Sequence, residues 1–188
     1  VGVKAPHFSF TRLEGADPTL GVEMASTGEV ACLGWDFDEA FLKALIAVGF
    51  RFPIRSALLS TGPIESKAAI LDSVRRLVNL GVKLYATRGT ADFLTPEGIA
   101  TEAVRWPLEG GQPNALDCIR ERKVDLVINI PKHFQKEELT NDYIIRRTAV
   151  DYGVPLITNR QLAERLSEAL ERVAISELKV RPWSEYHR

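Results

Sequence analysis

The chain has 188 residues, 45% of them hydrophobic and 26% charged, with a formal net charge of −1. That is enough chain for one sizeable core and an appendage. The even charge balance leaves no basic face for nucleic acid, and no apolar run approaches the ~20 residues of a membrane span. Neither nucleic acid nor membrane is therefore an expected partner. The N-terminus, Val1-Gly-Val-Lys-Ala-Pro, has no signal-peptide pattern and no initiator Met, which reads as a fragment of a cytoplasmic protein. Cys32 and Cys118 form no CxxC pair and have no His at ligand spacing, so no metal site is expected. They read as buried free thiols, with a disulfide or a catalytic Cys as alternatives.

From Val1 to Gly34, short extended pieces alternate with Pro6, Gly15, Pro18, Gly21, Gly28 and Gly34. This stretch is too poor in apolar residues for a core of its own and reads as the end of a larger domain. Phe37 to Val48 predicts a helix, with Phe41, Leu42, Leu45 and Ile46 on one face and Gly49 as its cap. From about Ser56, short apolar runs alternate with amphipathic helices. Ala57-Leu58-Leu59 predicts a strand, and Lys67 to Leu80 one helix closed by Gly81. Strands over Lys83 to Ala86 and Thr101 to Val104 follow, then a helix over Ala115 to Glu121. Leu126 to Ile130, uncharged over its whole length, is the strongest strand signal. A helix over Asn141 to Tyr152 ends at Gly153. Val154 to Ile157 predicts the fifth strand. Arg160 to Val173 predicts the last helix, with Thr158 and Gln161 as a capping-box pair. The tail from Ala174 to Arg188 has weak periodicity and no evident role.

Strands alternating with helices imply an α/β fold, a mostly parallel sheet covered on both faces. Ligands in such folds bind at the carboxyl ends of the strands. The polar residues there are Ser60 and Thr61, Thr87 and Thr90, Arg105 and Trp106, Asn129 and Lys132, and Thr158 and Asn159. The run Leu84-Tyr-Ala-Thr-Arg-Gly-Thr90 carries the most information. It brings two hydroxyls, a glycine and free backbone N–H groups to a helix start, which suits a small phosphate or carboxylate. Thr and Gly at such a turn also serve simply as caps. Lys67 can add a charge at the same sheet edge. Asn129 can both donate and accept, toward a ligand or toward the following turn. Trp106 offers a flat wall, for a ligand or for packing alone. No GxGxxG, GxxxxGK[ST], GxSxG or HExxH occurs. His7, His133 and His187 are scattered. Asp92, Asp125, Asp142 and Asp151 are not visibly paired, and Asp125 and Asp151 read as structural. No nucleophile and base stand out, so no catalytic residue is expected.

Phe8 to Gly34, FSFTRLEGADPTLGVEMASTGEVACLG, resembles the end of the second ATP-grasp region in the large subunit of carbamoyl-phosphate synthetase. From about Ser56 to Val173 the chain resembles that enzyme's C-terminal allosteric module, which has a methylglyoxal-synthase-like fold. The anchors are LYATRGTADFL, VRWP, DLVINIP and YIIRRTAVDYGVPLITN. The resemblance implies a Rossmann-like three-layer sandwich on a five-stranded sheet. It implies an ATP-grasp remnant over 1–34, a linker helix over 35–54 and the allosteric domain over 55–188. The complete enzyme makes carbamoyl phosphate from bicarbonate, ammonia or glutamine, and ATP with Mg or Mn, for pyrimidine and arginine synthesis. Its partners are a glutaminase small subunit and the ATP-grasp domains of the same chain. The module itself needs no cofactor and performs no chemistry.

The family's effector site carries over to Thr87, Thr90 and Asn129, and Lys67 falls where nucleotide-regulated members place a phosphate-contacting Lys. Those members have another Lys where this chain has Trp106, which weakens the match to UMP or IMP. A Trp there is similar to members activated by N-acetylglutamate, yet their two Asn positions are Lys132 and Asp142 here. The expected site is a hybrid: Lys132 suits an anion and Asp142 opposes one. The rival reading is a methylglyoxal synthase-type lyase, which needs an Asp in a GGD motif. The matching run is Gly110-Gly111-Gln112, and Gln cannot act as a general base. A third reading is a structural module that only mediates oligomer contacts.

Overall fold

The computed structural model describes residues 1–10, 14–19, 28–131 and 136–186, with backbone alone for 136–139. Lys132, His133, His187 and much of the ATP-grasp-like segment lie outside the described residues.

The chain begins with an antiparallel hairpin of β1 (Gly2–His7) and β2 (Gly28–Leu33). Helix α1 (Phe37–Ala47) follows at once, capped by Asp36, whose carboxylate accepts the Glu39 N–H at 2.8 Å. Gly34 makes the junction possible, because a Cβ there would fall 2.4 Å from the Ala40 nitrogen. The main sheet contains β3 (Ser56–Thr61), β4 (Lys83–Thr87), β5 (Glu102–Val104), β6 (Leu126–Ile130) and β7 (Leu156–Ile157). All five strands are parallel, in the order β5-β4-β3-β6-β7. This is the expected α/β architecture.

Side-chain alternation along the strands divides the core in two. Ala57, Leu59, Leu126 and Ile128 pack with α1, α3 (Leu71–Asn79), α4 (Arg88–Leu94) and α7 (Arg160–Arg172). Leu58, Tyr85 and Val127 pack on the other face with α5 (Ala115–Arg120) and α6 (Lys136–Asp151). The chain leaves β3 toward the first face and β6 toward the second. The strand order reverses between these two neighbours, and in folds of this kind ligands bind outside the carboxyl ends at such a point.

Several boundaries differ from expectation. The helix expected over Lys67 to Leu80 is two: α2 (Ile64–Ala69) and α3, joined at Ile70 (φ −98°, ψ 1°). Ile70 is buried in the core, whereas α2 buries nothing and stays over the strand ends. Lys67 therefore lies in the last turn of a short helix, not at a helix start. Helix α6 begins five residues before Asn141, in a polar stretch whose single apolar residue, Leu139, sets no helical period. The α7 cap is Asn159, which accepts the Leu162 N–H at 2.8 Å, rather than Thr158. Strand β7 is only Leu156–Ile157, since Pro155 has no N–H for the ladder. The tail folds back onto α1 and β2: Tyr186 Oη donates to the Leu33 carbonyl at 3.2 Å, and Arg181 pairs with Glu39 at 2.6 Å. Among the described residues no helix is long and apolar enough to cross a membrane.

Candidate functional site

The carboxyl ends of β3 and β6 hold a buried polar network. Ser60 and Asn129 are opposite each other in register and share the parity of Leu58 and Val127, so both point to the α5–α6 face. Helix α6 meets them with Asp142 and Arg146, one turn apart. Asp142 Oδ1 accepts from Ser60 Oγ at 3.2 Å and from Asn129 Nδ2 at 2.8 Å. Arg146 Nη1 donates to Asn129 Oδ1 at 2.8 Å. Asn129 is fully buried, and its amide is spent on two charged neighbours rather than on the following turn. Asp142, expected only as a charge opposing an anion, is a built-in acceptor at the centre of the network. The four-residue spacing from Asp142 to Arg146 on one helix face was the signal for Arg146's place here.

Thr87 and Thr90 extend this network. Thr87 occupies the N-cap position of α4 but makes no side-chain cap. Its hydroxyl oxygen lies instead 3.4 Å from Ser60 Oγ and 3.5 Å from Thr90 Oγ1, and its single proton can serve only one of them at a time. Those distances are long for O–H···O bonds, whose usual range is about 2.5–3.0 Å. Thr90 Oγ1 accepts the Thr61 N–H at 3.1 Å. Thr61 joins this group through that N–H, while its own Oγ1 is buried and makes no hydrogen bond with the described residues. Buried hydroxyls are nearly always satisfied, so among the described residues Thr61 Oγ1 keeps donor capacity that is not used. Lys67 sits half-buried above it, its Nζ 3.6 Å from where a Cβ on Gly89 would be.

Residues 69–158 match the family described as the MGS-like domain. The chain carries an MGS-like domain. Over 187 residues it is 46% identical to "Multifunctional protein CAD" of Squalus acanthias, covering 92% of this chain and 8% of that protein. It is 43% identical to "Multifunctional protein URA2" of Saccharomyces cerevisiae, over 100% of this chain and 9% of that one. It is 42% identical to "Carbamoyl-phosphate synthase [ammonia], mitochondrial" of Homo sapiens, over 92% of this chain and 12% of that one. The chain thus spans about a tenth of the length of these relatives, and its resemblance to the carbamoyl-phosphate synthetase C-terminal region extends beyond the MGS-like domain itself. Within the MGS-like domain lie Thr87, Thr90, Trp106, Asn129, Asp142 and Arg146. Ser60, Thr61 and Lys67 precede the matched residues yet complete the same cluster.

Other candidates are placed differently. The loop after β5 carries Trp106, partly buried, and is tied to α6 by the Leu108 N–H on Asn141 Oδ1 at 2.9 Å. Arg105 is exposed and donates to the Gly110 carbonyl at 3.3 Å. Gln112 is exposed in the same loop. Thr158 and Asn159 lie apart from the cluster and line a cavity of about 850 Å³ between β1, the end of α1 and the β7–α7 corner. That cavity, walled by Phe8, Phe10, Phe41, Leu45 and Pro155, contains no member of the network. Asp125 accepts the Arg55 and Ser56 N–H groups at 2.8 and 3.1 Å, and Asp151 pairs with Arg147 at 2.6 Å. Both free cysteines are unpaired with each other; burial pushes the Cys118 thiol up to about 11. Among the described residues no group of three His, Cys, Asp or Glu is arranged to hold a metal.

Proposed function

We propose that this chain is the effector-binding regulatory module of a carbamoyl-phosphate synthetase, with its ligand at the carboxyl ends of β3, β4 and β6. The observation that carries this reading is the hydroxyl cluster at the strand-order reversal. Thr61 Oγ1 has no partner among the described residues, and the Thr87 hydroxyl has only long ones. A small phosphate or carboxylate would accept from these hydroxyls and from Lys67, with Trp106 as a wall. Asp142 disfavours a dense negative charge, whereas Arg146 behind Asn129 offsets it. The parent enzyme would make carbamoyl phosphate from bicarbonate, ammonia or glutamine, and ATP with Mg or Mn, in the cytoplasm for pyrimidine and arginine synthesis. A glutaminase small subunit and the ATP-grasp domains would be its partners.

Thermal unfolding with N-acetylglutamate, UMP, IMP or ornithine at millimolar concentration tests the reading. A ligand at about 100 times its Kd adds ~2.7 kcal/mol, a rise of roughly 5–10 °C for a chain of this size. A rise with N-acetylglutamate assigns the site to a carboxylate gated by Trp106; a rise with a nucleotide gives the leading role to Lys67. No rise with any of them favours the structural-module reading. Gln112 in place of a general base predicts no release of phosphate from dihydroxyacetone phosphate; turnover by pure chain overturns the non-catalytic assignment.

A further inference from the structure

Arg146 is the bulkiest of the fully buried side chains among the described residues, and it faces two ways. Inward, Nη1 donates to Asn129 Oδ1 at 2.8 Å, one bond away from Asp142. Outward, Nε and Nη2 hold both oxygens of Asp17 at 2.7 and 2.5 Å. Asp17 belongs to the N-terminal segment outside the MGS-like match, and α6 grips that segment at two further points. Tyr143 Oη donates to the Gly15 carbonyl at 2.9 Å, and Arg147 donates to the carbonyls of Ala16 and Phe10 at 3.3 and 3.1 Å. In the described hydrogen bonds, Arg146 alone of these three also reaches the candidate site.

One buried cation therefore serves two carboxylates, Asp142 through Asn129 and Asp17 directly. The side chain of Asp17 is 37% exposed and that of Arg146 2%. Asp17 can exchange the guanidinium for water, whereas Arg146 cannot. An anion arriving beside Asn129 adds negative charge on the inner side only. We infer that Arg146 is a relay: an anionic ligand at the strand ends draws it inward, weakens its bidentate grip on Asp17 and loosens residues 14–19. The inference rests on the strand-end ligand site proposed above. It identifies Arg146 as a positioning residue and Asp17 as the output of binding.

Linkage makes the effect reciprocal. Removing the Asp17 charge releases Arg146 to the site, so Asp17→Asn binds an anion more tightly, by about fivefold, at the low end of usual allosteric couplings. Calorimetry with N-acetylglutamate and with UMP on the 188-residue chain measures this. Amide exchange over residues 14–19 is followed with and without the same probes. Tyr143→Phe is the control, because it cuts a tether to the same segment without touching Arg146. The relay predicts tighter binding in Asp17→Asn, unchanged affinity in Tyr143→Phe, and faster exchange at 14–19 when the probe binds the parent chain. Equal affinities in Asp17→Asn and parent, with Thr90→Ala weakened, overturn the relay and leave the site standing. Equal gains in Tyr143→Phe and Asp17→Asn also overturn it, since segment loosening alone would then account for the change. No binding of either probe by the parent chain overturns the site and the relay together.

Discussion

Replacing Asn129 by Leu keeps nearly the same volume and removes both polar ends of the side chain. The amide donates to Asp142 at 2.8 Å and accepts from Arg146 at 2.8 Å, both buried. Hydrogen bonds to charged groups contribute about 1.5–3 kcal/mol each, and their loss leaves two buried charges short of a partner. The apolar side chain returns about 1–2 kcal/mol through burial. The expected net loss is about 3 kcal/mol, a fall in melting temperature of roughly 6–12 °C for a domain of this size. Urea unfolding followed by circular dichroism at pH 7 measures it as a lower midpoint with an unchanged slope. Adding Asp142→Leu should cost less than the sum of the two single changes, because it removes one of the stranded charges. A loss below about 1 kcal/mol for Asn129→Leu, or strict additivity in the double variant, refutes the claim that this amide neutralises a buried network.

Three further outcomes are expected. Thr90→Ala removes the acceptor of the Thr61 N–H, costing about 1–2 kcal/mol of stability and weakening binding of whichever effector shifts the melting point; unchanged affinity in calorimetry refutes its place in the site. Asp142→Asn keeps an acceptor for Ser60 and Asn129 but removes a charge worth about 3 kcal/mol against an anion ~5 Å away at an effective dielectric of ~20. Part of that charge is already offset by Arg146, so anion affinity should rise about tenfold, and weaker binding contradicts the electrostatic reading. Burial raises the Glu39 carboxyl, but hydrogen bonds from Lys43, the Trp35 N–H and Arg181 outweigh it and hold the group down at about 2 against an ordinary 4.5. A depressed carboxyl stabilises the fold above its unfolded value, so this contribution is full above pH 4.5 and fades as the pH falls toward 2. Unfolding midpoints of the parent chain and Glu39→Gln should converge across that window, and a constant difference rules the cluster out as a pH-dependent tie.

The sheet, its helices and the strand ends were readable because they depend on local pattern. Apolar runs such as Leu126–Ile130 and helical periodicities such as Leu162, Leu166 and Leu170 set the element types. Parallel connections then bring polar residues to the carboxyl ends, where Ser60, Thr61, Thr87 and Asn129 lie, with Thr90 in the helix that follows β4. The break at Ile70 was not readable, because an apolar residue at helical spacing looks the same whether the helix continues or turns into the core. Nor was the role of Asp142. Its environment is made by Ser60, 82 positions away, and by Asn129.

The sequence by itself determined the α/β class, the alternation of strand and helix, and the residue types present at the strand ends, because these follow from side-chain period and turn chemistry along the chain. Only the tertiary structure decided which of those residues meet. Strand order put β3 beside β6, α6 laid Asp142 and Arg146 against them, and the N-terminal segment supplied Asp17 from 129 positions away. Partners so distant in sequence are chosen by packing and burial, which no local pattern records.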